Sequence, residues 1–139
     1  MSVVLLDTGP LVAFLNRRDD FHEWAKEQLD NVAPPLLTCE AVIAEACYLL
    51  RSLPGGGAAV LRMIERKQIA SPFRVEDEAA GIRKLLEKYA ILPMDLADAC
   101  LVRMSEQYAH PCVLTLNGDF RVYRRHGRQT IPLIVPEPG

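Results

Sequence analysis

Short runs of apolar, often β-branched residues alternate along the chain with longer segments in which apolar residues recur every three or four positions. The short runs are typical of buried strands, and the spacing in the longer segments predicts amphipathic helices. Pro72 falls inside the third run and predicts a short or edge strand there, because proline cannot donate a ladder hydrogen bond. The predicted strands cover residues 3–6, 36–38, 69–75, 112–116 and 131–135.

Helical segments fill the intervals between these strands. Pro34-Pro35 and the run from Pro54 to Gly57 are expected to end two of the helices. A regular alternation of strands and helices predicts an α/β fold with a mostly parallel sheet and helices on both faces. No internal repeat or long linker divides the chain, so residues 1–139 are expected to form a single domain. The predicted helices lie at about 11–15, 21–29, 40–53, 58–67, 76–89 and 95–108.

The composition is that of an ordinary globular protein, with 50% hydrophobic and 24% charged residues. A net charge of −2 argues against binding of nucleic acid by bulk charge alone, although a local basic patch is compatible with it. The four cysteines lie in apolar runs without a C-x-x-C pair, so we expect reduced, buried thiols in a cytoplasmic protein. No stretch resembles a signal peptide or a membrane span, so no membrane association is expected.

Polar residues follow two of the predicted strands directly. Asp7 comes after the first strand, and Thr115, Asn117 and Asp119 lie at or beyond the end of the strand 112–116. In open α/β sheets, ligands bind outside the carboxyl ends of the strands. These side chains would therefore face one crevice if both strands are central and parallel.

Asp7 and Glu45 each allow a structural and a functional interpretation. Asp7 could cap the helix that follows it, as Thr8 could also, but its place after a wholly apolar strand favours a functional role. Glu45 lies at the edge of an apolar helical stripe, where an ionised carboxylate is costly unless it is paired or binds a metal. The alternative for Glu45 is a boundary residue that reaches solvent or pairs with an arginine.

Asp98 is the one polar residue of the segment 96–102. A carboxylate inside a helix that is apolar nearly all round favours a functional role. Asp95 lies three residues earlier, about one turn away on the same side. Asp95 also suits an N-cap, with Asp98 completing an acidic form of the capping box. This alternative explains Asp95 better than Asp98.

Several carboxylates that meet at one crevice repel each other, which raises some of their pKa values unless a cation neutralises them. Mg²⁺ suits such a site, since it commonly bridges protein carboxylates to substrate phosphates. One or two such ions can activate a water and stabilise the leaving oxygen in phosphodiester cleavage. The absence of a glycine-rich Walker loop disfavours nucleoside triphosphate hydrolysis.

A basic segment begins directly after Asp119. Arginine contacts to phosphates, combined with aromatic stacking, suit single-stranded RNA. The alternative is a solvated loop whose arginines pair with surface carboxylates. The candidate RNA contacts are Arg121, Arg124 and Arg125, and Tyr123, His126 and Arg128 lie among them.

Four segments, in order along the chain, resemble the PIN domain family of nucleases, which includes the VapC-type toxins of toxin–antitoxin modules. VVLLDTGPLVAFLN resembles the opening strand of the family with its metal-binding aspartate, here Asp7. Glu45 corresponds to the glutamate of the third helix, and MDLADACLV resembles the segment with the third acidic residue, here Asp98. VLTLNGDF resembles the T-x-D-x-D-F ending of the family. The resemblance runs from Val3 to about Val135.

The resemblance implies a three-layer α/β/α sandwich and Mg²⁺- or Mn²⁺-dependent cleavage of RNA by an activated water. It implies that Asp7 and Asp98 ligate the metal, and that Glu45 binds through water or orients the nucleophile. Thr8 and Thr115 would be hydrogen-bonding groups around these ligands. The family also implies a homodimer, and an antitoxin protein that covers the site.

Asn117 departs from the family pattern, because it stands where the motif usually places its fourth carboxylate. An amide can coordinate through its oxygen but adds no charge, so the site should bind a second cation less well. Asp119 is expected to compensate as a catalytic residue, with Asp95 as an auxiliary carboxylate.

Two alternatives to a ribonuclease therefore follow. The first is a catalytically weakened PIN-like module that binds RNA or a protein partner without cleavage, for which Asn117 is the main support. The second is a phosphoacceptor receiver domain, which has a similar sheet. It is disfavoured because a receiver needs paired acids after the first strand, where only Asp7 stands.

Overall fold

The computed structural model of the protein describes residues 2–137. Each of the first three strands is followed by two helices, and a short 3-10 helix, Gly118–Arg121, follows the fourth strand. In chain order the elements are β1 (Ser2–Leu6), α1 (Thr8–Leu15), α2 (His22–Asp30), β2 (Leu36–Leu37), α3 (Glu40–Leu49), α4 (Gly56–Glu65), β3 (Ile69–Ala70), α5 (Val75–Lys88), α6 (Leu96–Ser105), β4 (His110–Leu114), β5 (Arg124–Arg125), β6 (Gln129–Thr130) and β7 (Leu133–Ile134).

Five strands form one sheet in the order β3-β2-β1-β4-β7, and each neighbouring pair is parallel. β1 lies at the centre and pairs with β4 from Ser2–His110 to Leu6–Leu114. Both strands end in fully buried leucines because helices cover both faces of the sheet. The predicted α/β architecture, a three-layer sandwich around a mostly parallel sheet, is confirmed.

The shared register of β1 and β4 positions the site. Because the two strands run in the same direction and end side by side, the residues that follow Leu6 and Leu114 emerge at the same edge of the sheet. The backbone N–H of Asp7 still donates to the Leu114 carbonyl over 3.0 Å. Asp7 and Thr115 are therefore neighbours, as the parallel pairing predicts.

Several predicted boundaries were wrong by a few residues. The third strand is only Ile69–Ala70, and α5 already begins at Val75. The predicted helix 40–53 ends at Leu49, whose side chain is 50% exposed although its spacing placed it in the apolar stripe.

The sequence did not predict the hairpin formed by β5 and β6. Arg124 pairs with Thr130 and Arg125 with Gln129 in antiparallel register. The connecting turn has positive φ at His126 (52°) and at Gly127 (79°). The basic segment is therefore ordered structure rather than an open loop.

All four cysteines are free thiols, of which Cys39 and Cys100 are buried while Cys47 and Cys112 are partly exposed. The expectation of reduced thiols agrees with this, but burial of all four was wrong. No helix within residues 2–137 has the length and apolar character needed to span a bilayer.

Candidate active site

Asp7 lies at the carboxyl end of β1 and is buried, with 6% of its surface exposed. Its Oδ1 accepts a hydrogen bond from the Thr8 N–H over 2.8 Å, so Asp7 caps α1. Its Oδ2 accepts a hydrogen bond from the Thr115 hydroxyl over 2.6 Å. The capping role and the predicted place in the crevice therefore both apply, because the two oxygens serve different partners.

Asp98 lies in the first turn of α6 and is as buried as Asp7. Asp95 is the N-cap of that helix, and its Oδ1 accepts from the Asp98 N–H over 2.8 Å. The Oδ2 of Asp98 accepts from the Tyr123 hydroxyl over 2.8 Å and from Asn117 Nδ2 over 3.4 Å. The structural alternative for Asp95 is thus observed, and this cap also places Asp98 in the site.

The loop after β4 joins the two buried aspartates. The Thr115 hydroxyl donates to Asp7 and accepts from the Asn117 N–H over 2.9 Å. Asn117 Oδ1 accepts from the Asp119 N–H over 3.0 Å and so caps the 3-10 helix. Its other amide atom, Nδ2, faces Asp98. Asn117 is therefore a turn residue and a member of the site at once.

Burial governs the electrostatics of the two buried carboxyls. Burial raises the pKa of Asp7, and this outweighs the hydrogen bonds from Thr115 and Thr8, which lower it. Burial, with further contributions from the charges of Asp95 and Asp7, raises the pKa of Asp98 to about 7. The hydrogen bond from Tyr123 acts in the opposite direction and favours the ionised form of Asp98.

Glu45 and Asp119 lie at the margin of this site. Glu45 is exposed on α3, yet its charge is close enough to raise the pKa of Asp7. Asp119 is partly buried, and its charge contributes to the raised pKa of the Tyr123 hydroxyl. Within residues 2–137, none of the five acidic residues of the site, Asp7, Glu45, Asp95, Asp98 and Asp119, forms an ion pair with a lysine, arginine or histidine.

Three observations bear on whether these residues fit a divalent cation. The acidic cluster has no basic partner, and the Thr8 hydroxyl is buried beside it without a hydrogen-bond partner in the described part of the chain. In that same part, no three His, Cys, Asp or Glu side chains are grouped closely enough to hold an ion by themselves. Mg²⁺ is commonly held by one or two carboxylates, with waters and substrate phosphate completing its shell. Asp7 and Asp98 fit that kind of site.

The three candidate RNA-binding arginines differ in how far they are exposed. Arg125 is buried, and its Nη2 donates to the carbonyls of Ser105 and Tyr108 over 2.7 Å each. It joins the hairpin to the end of α6 and is unsuited to contact RNA. Arg124 is partly buried and donates to backbone carbonyls of the preceding residues. Only Arg121 is exposed, with its guanidinium beside Gly118.

Sequence reasoning missed the role of Tyr123. It placed this residue among possible stacking groups for RNA, but its side chain is fully buried and its hydroxyl donates to Asp98. Tyr123 lies 25 residues from Asp98 and in a segment that reads as basic and exposed. No local pattern in the sequence indicates this contact.

Comparison with known proteins agrees with the fold. The family model of the PIN domain matches residues 4–125. Ribonuclease VapC26 of Mycobacterium tuberculosis (strain ATCC 25618 / H37Rv) is 29% identical over 127 residues, which cover 88% of each chain. The crystal structure of VapC20 from Mycobacterium tuberculosis, a Sarcin-Ricin loop cleaving toxin, superposes with a TM-score of 0.77 at 19% identity, over 86% of this chain and 93% of that one. The chain belongs to the PIN domain family.

Proposed function

We propose that the protein is a Mg²⁺- or Mn²⁺-dependent endoribonuclease, and the toxin of a toxin–antitoxin pair. The observation that carries the proposal is the convergence of Asp7 and Asp98, both buried and hydrogen-bonded, in an acidic site that has no basic partner among the described residues. Membership of the PIN family and the similarity to ribonuclease VapC26 support the same activity.

Asp7 and Asp98 would hold the cation. When bound, the cation would supply charge neutralisation at the scissile phosphate and a more acidic water. Glu45, which is exposed on α3, would accept a proton from that water or orient it. Asp95 and Asp119 add negative charge at the margin, and this favours cation binding.

Other side chains hold the carboxylates in place. The Thr115 hydroxyl fixes one oxygen of Asp7. The buried Thr8 hydroxyl, which has no hydrogen-bond partner among residues 2–137, would bind a water of the site. The exposed Arg121 is the candidate for a contact to the RNA backbone, because its guanidinium lies over the loop that carries Asn117 and Asp119. Arg125 is not proposed as an RNA contact, because its side chain is buried.

The proposed partners are an RNA substrate, an antitoxin protein and a second copy of the chain, in the cytoplasm. Similarity to VapC26 and VapC20 supports the first two. Large apolar side chains on the outer surface of α3 and α4 favour a protein partner there, since 61% of Tyr48, 50% of Leu49 and 46% of Leu61 is exposed.

One observation favours a second candidate, a PIN-like module that binds RNA or protein without cleavage. Asn117 places an amide against Asp98 where a fourth carboxylate would add charge. Binding of Mn²⁺ in the millimolar range decides between the nuclease and the binding module, because a module that does not cleave RNA needs no bound cation.

Cleavage of single-stranded RNA by the purified protein tests the proposal. We expect Mn²⁺ or Mg²⁺ to support cleavage, EDTA to stop it, and Asp7→Asn or Asp98→Asn to abolish it. Asparagine preserves side-chain size and can still cap α1 at position 7. Glu65→Gln, an exposed carboxylate on α4, is the matched control and should cleave normally. Cleavage that persists in EDTA and in both asparagine variants would overturn the mechanism.

A further inference from the structure

Tyr123 contacts Asp98, one of the two carboxylates that would hold the cation. Its side chain is fully buried, and its hydroxyl donates a hydrogen bond of 2.8 Å to Oδ2 of Asp98. Burying a hydroxyl without a partner is costly, and hydrogen bonds to charged groups are the stronger ones. The contact is therefore a specific feature of this fold rather than an incidental approach.

The Tyr123 ring is held from several sides. It packs edge-on against Tyr89 at a centroid distance of 5.1 Å and against Phe120 at 5.2 Å. Its backbone N–H donates to the Asp119 carbonyl over 3.2 Å. A ring fixed in this way leaves its hydroxyl little freedom, so the hydroxyl defines where Oδ2 of Asp98 must lie.

The two oxygens of Asp98 consequently have different surroundings. Oδ2 receives both the Tyr123 hydroxyl and the amide Nδ2 of Asn117. No residue in the range 2–137 donates a hydrogen bond to Oδ1. The carboxylate is thus anchored through Oδ2, and the side chain of Asp95 lies close enough to add negative charge beside it.

We propose that Tyr123 is a positioning residue, which anchors Asp98 through Oδ2 so that Oδ1 is presented to a divalent cation. The inference rests on the proposed function, because it assumes that the site binds Mg²⁺ or Mn²⁺. Because its side chain is fully buried, Tyr123 itself would touch neither cation nor RNA. Hydrogen-bond partners of metal ligands typically contribute about 10- to 100-fold to metal affinity.

Tyr123→Phe removes the hydroxyl and keeps the ring. The matched control is Tyr89→Phe, which removes a hydroxyl from the same aromatic group but loses only a hydrogen bond from the Arg124 N–H. Calorimetric titration with Mn²⁺ at pH 8 should show about 10-fold weaker binding for Tyr123→Phe. Tyr89→Phe should bind Mn²⁺ as the wild type does, even if its thermal stability falls.

The outcomes separate this inference from the proposed function. If the wild type binds no Mn²⁺, the proposed function fails and the inference fails with it. If the wild type binds Mn²⁺ and both phenylalanine variants bind it equally well, only the positioning role is refuted. A wild-type crystal soaked in Mn²⁺ gives an answer that needs no variant: an anomalous peak bound to Oδ1 of Asp98 supports the inference, and one bound to Oδ2 overturns it.

Discussion

Asn117→Asp is the substitution that tests the site most directly. In the wild type, Asn117 Nδ2 donates to Asp98 Oδ2 over 3.4 Å, and Asn117 Oδ1 caps the 3-10 helix. An aspartate can keep the cap through one oxygen, because that contact needs only an acceptor. Its other oxygen would face Asp98, so one attractive contact becomes a repulsive one while the local backbone is preserved.

The size of the effect follows from the geometry. Two unit charges 3.4 Å apart repel by about 5 kcal/mol at an effective dielectric constant of about 20. Protonation avoids most of this cost: because the pKa of Asp98 is about 7, protonating it at pH 8 costs about 1.4 kcal/mol. Loss of the amide hydrogen bond adds about 1 kcal/mol. The metal-free variant should therefore be less stable by about 2 kcal/mol.

Thermal unfolding with and without cation measures this change. A chain of 139 residues loses about 3 °C in Tm per kcal/mol, so Asn117→Asp should melt about 6 °C below the wild type in EDTA. Saturating Mn²⁺ should raise the Tm of the variant more than that of the wild type, and titration should reveal an additional bound cation. Asn31→Asp, on the exposed end of α2, is the control and should shift the Tm in EDTA only slightly.

One result would refute this reasoning. If Asn117→Asp has the wild-type Tm in EDTA and the wild-type Mn²⁺ affinity, the side chain at position 117 does not act on Asp98. Asn117 would then be a capping residue of the 3-10 helix alone. Asp119 would be left as the carboxylate that completes the site.

Three further predictions concern Asp98 and two of the arginines. The pKa of Asp98 is raised from an ordinary 3.8 to about 7, so the folded state holds this proton more tightly and metal-free stability falls as pH rises from about 4 to about 7. Thermal melts in EDTA should therefore show Asp98→Asn to be more stable than the wild type at pH 8, and this gain should vanish near pH 4. A stability difference between variant and wild type that does not change with pH would contradict the raised pKa of Asp98. Arg125→Ala should lower stability by about 3 kcal/mol, since it leaves two carbonyls without their donor. Arg121→Ala should keep the wild-type Tm but should reduce the slope of log Kd against log salt concentration for single-stranded RNA by about 0.7. Fluorescence anisotropy in EDTA measures this slope, and an unchanged slope would show that Arg121 does not contact the RNA backbone.

The part of the site that could be predicted from sequence follows from strand direction. Two apolar runs of the sequence are each followed by polar residues. These polar residues meet if the two strands are parallel neighbours, and β1 and β4 are. Asp7 and Thr115 meet for this reason. Asp98 was predicted because a lone carboxylate in an apolar helix is costly without a partner, and its partners are Tyr123 and Asn117.

The part that could not be predicted depends on how the chain returns after β4. Tyr123 and Arg125 lie in a segment rich in arginine, which as a sequence favours exposure. Burial of Arg125 depends on carbonyls at the end of α6, and burial of Tyr123 depends on the rings of Tyr89 and Phe120. These partners are brought together only by tertiary packing, so composition and spacing contain no sign of them.

These tertiary contacts also connect the hairpin of β5 and β6 to the position of Asp98. Arg125 holds β5 to the carbonyls of Ser105, the last residue of α6, and of Tyr108 just beyond it, while Asp98 lies in the first turn of the same helix. Tyr123, two residues before Arg125, then reaches back to Asp98. The segment that resembles an RNA-binding loop therefore joins both ends of α6. A substitution that loosens the Arg125 anchor should disturb Asp98 as well as stability, because the position of the Tyr123 hydroxyl depends on that anchor.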